Sequence, residues 1–187
     1  NCYNFFLSPF NMSLYEIPLV TSTGEQTTLE QYKGKVLYIV NVASKCGLTP
    51  QYAALQAIAD KYKDVVVLGF PANDFLEQEP GTDSEIQEFC SLKYKVTFPL
   101  FKKASVLGEN KQPLYKKLIE MQPETLERDV MIKQLKGYGI ATTEAPEVAW
   151  NFEKFIVSRD GTQVLRFSPS IVPDDAKVVD AIEKLLV

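Results

Sequence analysis

Apolar runs and segments of helical periodicity alternate along the first half of the chain. Val36–Val42 and Val65–Phe70 are nearly continuous apolar runs, which are typical of strands buried on both faces of a sheet. The segment between them places its apolar residues on one stripe of a helix. We expect this helix to begin with Thr49 as N-cap and Pro50 at its first position. Two strands joined by a helix predict a parallel, right-handed βαβ unit.

The rest of the pattern predicts helices after this unit and strands near both ends of the chain. Thr82 and Glu85 have the spacing of a capping box at the start of a helix. Phe152–Ser168 contains two alternating runs around the turn at Arg159–Thr162, which predicts a hairpin. Further predicted elements are a first strand over Ser13–Val20, a short strand over 96–101, helices over Pro113–Met121 and about Leu126–Leu135, and a last helix that carries Val178, Val179, Ile182, Leu185 and Leu186.

This order of elements matches the thioredoxin architecture. We therefore predict an α/β, thioredoxin-like fold, in which helices flank a central mixed sheet. An N-terminal hairpin and an insertion between the βαβ and ββα halves complete it. The first eleven residues contain no Lys or Arg, which a secretory signal needs, and Met12 follows them. We interpret residues 1–12 as an added or disordered N-terminal segment and residues 13–187 as one domain.

Composition and charge narrow the classes of function. The formal net charge is −4 and the signs are interspersed, which argues against a nucleic-acid surface. No apolar run approaches the roughly 20 residues that span a bilayer, so no membrane partner is expected. Three cysteines, Cys2, Cys46 and Cys90, are too few for a disulfide scaffold. The chain has no histidine, which excludes histidine triads and histidine metal sites.

Cys46 is the strongest candidate for chemistry. It follows a central strand and precedes a helix, at the sheet edge where sites gather in α/β folds. The N–H groups at a helix start favour a thiolate, and Lys45 adds positive charge if its side chain turns inward. Ser44–Gly47 is not an apolar periodic segment, so a reactive thiol is favoured over a structural one. Without histidine, and with Thr49 in place of a second cysteine, a lone thiolate suits attack on a peroxide O–O bond.

Five motifs resemble those of the glutathione peroxidase family and occur in the family's order. They are NVASKCGLTPQY (41–52), GFPANDFLEQEPG (69–81), FPLF (98–101), PLYKKL (113–118) and WNFEKFIVSRDG (150–161). The chain most resembles the bacterial, non-selenium branch, with cysteine where other members have selenocysteine. The resemblance implies a thioredoxin fold, reduction of hydroperoxides, and a catalytic group made of Cys46, Gln78, Trp150 and Asn151.

Two positions depart from the family pattern. Ala72 stands where the family often has cysteine, and Asp74 stands where it often has glutamine. Neither is one of the four catalytic positions that the resemblance implies, although Asp74 changes the charge near them.

Cys90 is the candidate second thiol. On pattern alone it lies on the apolar face of a helix and is typical of core, but the resemblance matches it to the resolving cysteine of thioredoxin-dependent members. The implied cycle forms a sulfenic acid on Cys46, then a Cys46–Cys90 disulfide that thioredoxin reduces. A disulfide needs Cα atoms about 4.4–6.8 Å apart, so the helix would have to unwind locally. Glutathione stays open as a secondary reductant.

Two other functions stay open at this stage. One is a thiol–disulfide oxidoreductase of the same fold, and the other is a non-catalytic thioredoxin-fold binding module. No metal or organic cofactor is implied, and the lack of a signal together with redox-active thiols favours the cytoplasm. The sequence fixes neither the preferred peroxide nor the oligomeric state: the long segment Pro123–Val148 favours an oligomer, whereas the resolving thiol favours a monomer.

Overall fold

The computed structural model describes residues 12–187, so Cys2 and nearly all of the predicted N-terminal segment lie outside the described residues. Six strands and five α-helices make up the described part. In chain order they are β1 (Leu19–Val20), β2 (Gln26–Thr27), β3 (Val36–Val42), α1 (Gln51–Lys61), β4 (Val65–Pro71), α2 (Asp83–Tyr94), α3 (Pro113–Met121), α4 (Arg128–Gly137), β5 (Lys154–Val157), β6 (Val164–Phe167) and α5 (Ala176–Leu186).

The central sheet has the strand order β4-β3-β5-β6. Strands β3 and β4 are parallel and are connected by α1, as the βαβ pattern predicts. Strand β5 pairs antiparallel with β3 and with β6, and β5 and β6 form the predicted hairpin. Every residue of β3 is buried, because helices cover both faces of the sheet. Strands β1 and β2 form a separate hairpin. The predicted thioredoxin-like architecture is therefore confirmed, with α3 and α4 as the insertion between its halves.

Side chains that alternate along β3 enter two different cores. Leu37 and Ile39 join the core that contains α3 and α4. Tyr38 and Val40 join the core that α1, α2 and α5 cover. Cys46, just beyond β3, packs against both cores. Among residues 12–187, no helix combines the length and the apolar character needed to cross a membrane.

Two predicted strands were wrong. In Ser13–Val20 only Leu19 and Val20 form a strand, because Ser13 caps a short 3₁₀ turn at Leu14–Glu16 with a capping box. The segment 96–101 makes only isolated bridges, such as Leu100 to Gly69 of β4. Leu19 and Val20 pair with β2, but the other apolar residues of the two segments pack in the core without a strand ladder. Their hydrophobicity therefore reports burial rather than strand structure.

Two helix starts also differ from the prediction. The helix expected from about Leu126 begins at Arg128, because the Leu126 N–H donates to the carbonyl of Arg166 in β6. Helix α1 begins at Gln51, and Thr49 makes no helix cap. By contrast, Thr82 caps α2 through the N–H of Glu85, as its spacing predicts.

Candidate active site

A tight turn between β3 and α1 carries Cys46. The hydroxyl of Thr49 accepts the Cys46 N–H at 3.0 Å and donates to the Ala43 carbonyl at 2.8 Å. The N–H of Leu48 points at the Cys46 sulfur, with 3.3 Å between nitrogen and Sγ. Thr49, the expected N-cap, therefore forms a brace, meaning that its hydroxyl connects two backbone groups within the turn. The donor to the sulfur is a backbone N–H of the turn. The turn therefore aims a hydrogen-bond donor at the sulfur.

Two amide side chains meet beside this turn. The Asn151 amide donates from Nδ2 to Oε1 of Gln78 at 2.9 Å. The backbone of Gln78 is tied to the cysteine turn, because the Lys45 N–H donates to the Gln78 carbonyl at 3.0 Å. The side chain of Lys45 is exposed and does not turn inward. Since the Gln78 oxygen is already engaged, its NH₂ group is the end that is left to donate to another ligand.

The backbone next to both amides is left-handed at residues other than glycine. Leu76 and Glu77, which precede Gln78, have φ of 50° and 52°, and Phe152, which follows Asn151, has φ of 67°. Such conformations cost of order 1–3 kcal/mol each and persist where the surroundings impose them. Leu76 and Glu77 are exposed, so packing of their own side chains does not compensate. This cost is typical of segments that aim a functional side chain.

Asn41 of β3 holds the segment that carries Trp150. Its Nδ2 donates to the Trp150 carbonyl at 3.1 Å. Its backbone carbonyl accepts the Phe152 N–H at 2.7 Å, and its side-chain Oδ1 accepts the Glu153 N–H at 3.1 Å. Trp150 is almost fully buried and its ring lies 5.3 Å from that of Phe75. The sequence analysis missed Asn41, although a polar residue inside an apolar strand was a usable signal. One strand thus positions both the cysteine turn and the tryptophan segment.

A buried ion pair supports the same segment from below. The Arg166 Nε lies 2.6 Å from Oε2 of Glu153, and both side chains have no exposed surface. The other oxygen of Glu153 accepts the Ala149 N–H at 3.1 Å. Burial raises the pKa of Glu153, and the Arg166 guanidinium opposes that rise. The carboxylate therefore fixes the chain on both sides of Trp150.

Cys90 lies on α2 with no exposed surface, and both it and Cys46 are free thiols. Burial raises the pKa of the Cys90 thiol to about 11, while the neighbouring Tyr52 hydroxyl lowers it. Of the twelve residues in α2, only Ile86 and Cys90 are buried. Phe89 and Tyr94 are partly buried and pack against the same core, so these four side chains must leave it before the helix can open locally.

A cavity of about 340 Å³ separates the cysteine turn from α2. Its floor includes Glu79, a glutamate that has no exposed surface. The sequence analysis did not single out Glu79, since a charged residue in a polar loop gives no sign of burial. The lining residues are Ser44, Lys45, Glu79, Pro80, Gly81, Glu85, Ile86 and Phe89.

The two departures from the family pattern have separate structural roles. Asp74 accepts the Ser105 hydroxyl at 2.7 Å and the Val106 N–H at 2.9 Å, so its charge holds the loop at residues 105–106. Ala72 is buried beyond the end of β4. Over residues 12–187, no three His, Cys, Asp or Glu side chains are grouped so that they could hold a metal ion.

Known proteins share this arrangement of sequence and fold. A family model described as glutathione peroxidase matches residues 14–119. Thioredoxin/glutathione peroxidase BtuE of Escherichia coli is 48% identical over 167 residues, which cover 87% of this chain and 91% of that protein. Hydroperoxy fatty acid reductase gpx1 of Synechocystis is 42% identical over 178 residues, covering 94% and 97%. The apo crystal structure of Trgpx superimposes with a TM-score of 0.66 at 33% identity, covering 94% and 96%. The chain therefore belongs to the glutathione peroxidase family.

Proposed function

We propose that this thiol peroxidase reduces hydrogen peroxide and organic hydroperoxides through a sulfenic acid on Cys46, which Cys90 resolves and thioredoxin recycles. The observation that carries the proposal is the joining of the two amides, Asn151 Nδ2 to Gln78 Oε1, beside the turn that presents the thiol. The names of the Escherichia coli and Synechocystis relatives, a thioredoxin/glutathione peroxidase and a hydroperoxy fatty acid reductase, support the same substrate class and reductants.

In the first step the Cys46 thiolate attacks the terminal peroxide oxygen. The S–O bond forms, the O–O bond breaks, and the departing oxygen takes up a proton and leaves as water or an alcohol. The Leu48 N–H stabilises the thiolate. In our proposal Gln78, Trp150 and Asn151 donate hydrogen bonds to the thiolate and to the departing oxygen. Uncharged donors held in place by the fold stabilise such a developing charge without a histidine.

In the second step Cys90 attacks the Cys46 sulfenic acid, so that a disulfide forms and water leaves. Cys90 can reach it only if α2 opens, since the thiol is completely buried. That opening has to withdraw the side chains of Ile86, Phe89, Cys90 and Tyr94 from the core, whereas the opposite face of α2 is exposed. The disulfide then lies where a partner thiol can attack it.

Thioredoxin is the proposed main reductant because it exchanges with a protein disulfide, and glutathione is a second candidate that could reduce the sulfenic acid directly. Such a cycle operates in a compartment that keeps thiols reduced, and the cytoplasm meets that requirement. Thr49 supports peroxidase chemistry over thiol–disulfide exchange. It occupies the place of a second cysteine, and its hydroxyl holds the turn instead.

The serine variant Cys90→Ser tests the cycle. It should still react once with peroxide, because the first step needs only Cys46 and its donors, but thioredoxin-driven turnover should fall to background. A matched control is Cys2→Ser, which should turn over at the wild-type rate. If Cys90→Ser retains full turnover with thioredoxin, Cys90 is a core residue and the resolving thiol comes from another molecule.

A further inference from the structure

Glu79 is the buried acidic group that the proposed cycle leaves without a role. Its Oε1 accepts the Ser44 N–H at 3.1 Å, and its own N–H donates to the side chain of Asn73 at 2.9 Å. Its second oxygen, Oε2, is buried and has no hydrogen-bond partner among the described residues. Lys103 lies nearby, but its Nζ donates to the backbone carbonyls of Glu79 and Gly81 and not to the Glu79 carboxylate. A buried carboxylate with one unused oxygen is costly, so it calls for an explanation.

Glu79 lies in a cavity bounded by residues of the two elements that carry the thiols of the proposed cycle. It lines the cavity that separates the Cys46 turn from α2, and Ser44 on the turn side also has a buried hydroxyl without a partner. Ile86 lines the far wall, one helical turn before Cys90 on the same helix. The cavity therefore borders both the turn that carries Cys46 and the helix that carries Cys90.

Glu79 lies near enough to Cys90 for its charge to affect the thiol. The charge of Glu79 raises the pKa of the Cys90 thiol, and it also raises that of Tyr52. Burial raises the pKa of Glu79 itself to about 7, and the adjacent Ser44 and the charge of Lys103 oppose that rise. Ionised Glu79 and ionised Cys90 are thus mutually unfavourable, and one proton shared between the two groups removes the conflict.

Other charged groups also face the cavity. Lys45 lies on the turn side and Glu85 lies on α2, and both side chains are exposed. Tyr52 of α1 has its pKa raised well above the ordinary value by burial, so it stays protonated at neutral pH. Among these groups, Glu79 is the one that combines burial, a free oxygen and ionisation near neutrality.

We infer that Glu79 accepts the proton of the Cys90 thiol during the resolving step, an inference that rests on the proposed role of Cys90. The Cys90 sulfur attacks the Cys46 sulfur, the S–S bond forms and the S–O bond breaks. The proton that leaves Cys90 passes to the Glu79 carboxylate and then to the departing hydroxide, which leaves as water. No external oxidant or reductant takes part. Opening of α2 removes the burial that raises the pKa of the Cys90 thiol, so the proton leaves Cys90 more readily once resolution begins.

The test is the pH profile of disulfide formation after one equivalent of hydrogen peroxide without reductant, followed by rapid quenching and intact mass. In wild type the rate should rise with pH and level off above an inflection near pH 7, where Glu79 ionises. Glu79→Gln should be slower at neutral pH by about 10²-fold, a typical contribution of a positioned base, and should lose that inflection. The glutamine oxygen can still accept the Ser44 N–H, so oxidation of Cys46 should change little.

Two further variants keep the test decisive. Glu88→Gln removes an exposed carboxylate from α2, the helix that carries Cys90, and should keep the wild-type profile. Glu79→Asp retains a carboxylate and should keep an inflection at a lower plateau, even if Glu79→Gln folds poorly. A wild-type profile in Glu79→Gln, or a profile without inflection in Glu79→Asp, overturns the role of Glu79 alone. If wild type forms no Cys46–Cys90 disulfide at any pH, the proposed cycle itself is wrong.

Discussion

Thr49 gives the sharpest test of how the turn activates Cys46. The substitution Thr49→Val keeps the shape of the side chain but removes the hydroxyl that joins the Cys46 N–H to the Ala43 carbonyl. Ala43 is completely buried, so its carbonyl is left unsatisfied at a cost of about 1–3 kcal/mol. Cys46 is half-buried, and water can replace part of its lost bond. We therefore expect a loss of about 2 kcal/mol, which for a domain of this size lowers Tm by roughly 4–8 °C.

The same substitution should also remove a hydrogen bond that stabilises the Cys46 thiolate in the proposed first step. If the turn relaxes, the Leu48 N–H leaves the sulfur, and a hydrogen bond to a charged group is worth about 1.5–3 kcal/mol. At about 1.36 kcal/mol for each tenfold change, the peroxide rate constant should fall by about 10- to 10²-fold. Circular dichroism measures Tm, and stopped-flow fluorescence of Trp150 measures the rate. Thr49→Ser retains the hydroxyl and is the control. An unchanged Tm and rate in Thr49→Val would refute the role of the brace.

Three further predictions concern the donors and the buried charges. Gln78→Ala and Asn151→Ala should each lower the peroxide rate constant by up to about 10²–10³-fold while the fold persists, and unchanged kinetics in both would remove them from the reacting centre. Arg166→Met should cost about 3–5 kcal/mol in urea unfolding, because it leaves Glu153 buried and unpaired; a loss under about 1 kcal/mol contradicts this. Burial lowers the pKa of Lys154 from 10.5 to about 7, so between these values the unfolded chain binds more protons and stability rises with pH. The rise, up to about 1.4 kcal/mol per pH unit, should vanish in Lys154→Met; its persistence would assign it to other groups.

The sequence predicts those parts of the fold whose periodicity reports burial directly. The apolar run Val36–Val42 is fully buried in β3, and the helix predicted over Pro113–Met121 has those bounds. Thr49 could not be assigned correctly, because a hydroxyl before a helix can cap that helix or bond backbone groups within the preceding turn. Only the three-dimensional path of the turn shows that the Ala43 carbonyl is within reach.

The sequence singled out residues of the candidate site, but it did not indicate which of their side chains contact each other. Motif resemblance singled out Gln78 and Asn151, whereas nothing in the sequence indicated that their amides bond to each other. Glu79 was missed for a physical reason: a Glu-Pro-Gly segment is typical of an exposed loop, and its burial depends on the cysteine turn and α2 closing over it. Tertiary packing decides burial at such positions, and local composition does not.

The most direct test of the central claim is the intact mass and peptide map of wild-type protein after one equivalent of hydroperoxide without reductant. We predict that each molecule loses two hydrogens and that one cross-linked peptide pair joins Cys46 to Cys90. An added oxygen that stays on Cys46 while Cys90 remains a free thiol would contradict resolution by Cys90. Oxidation elsewhere, with Cys46 unmodified, would contradict the identity of the reacting thiol.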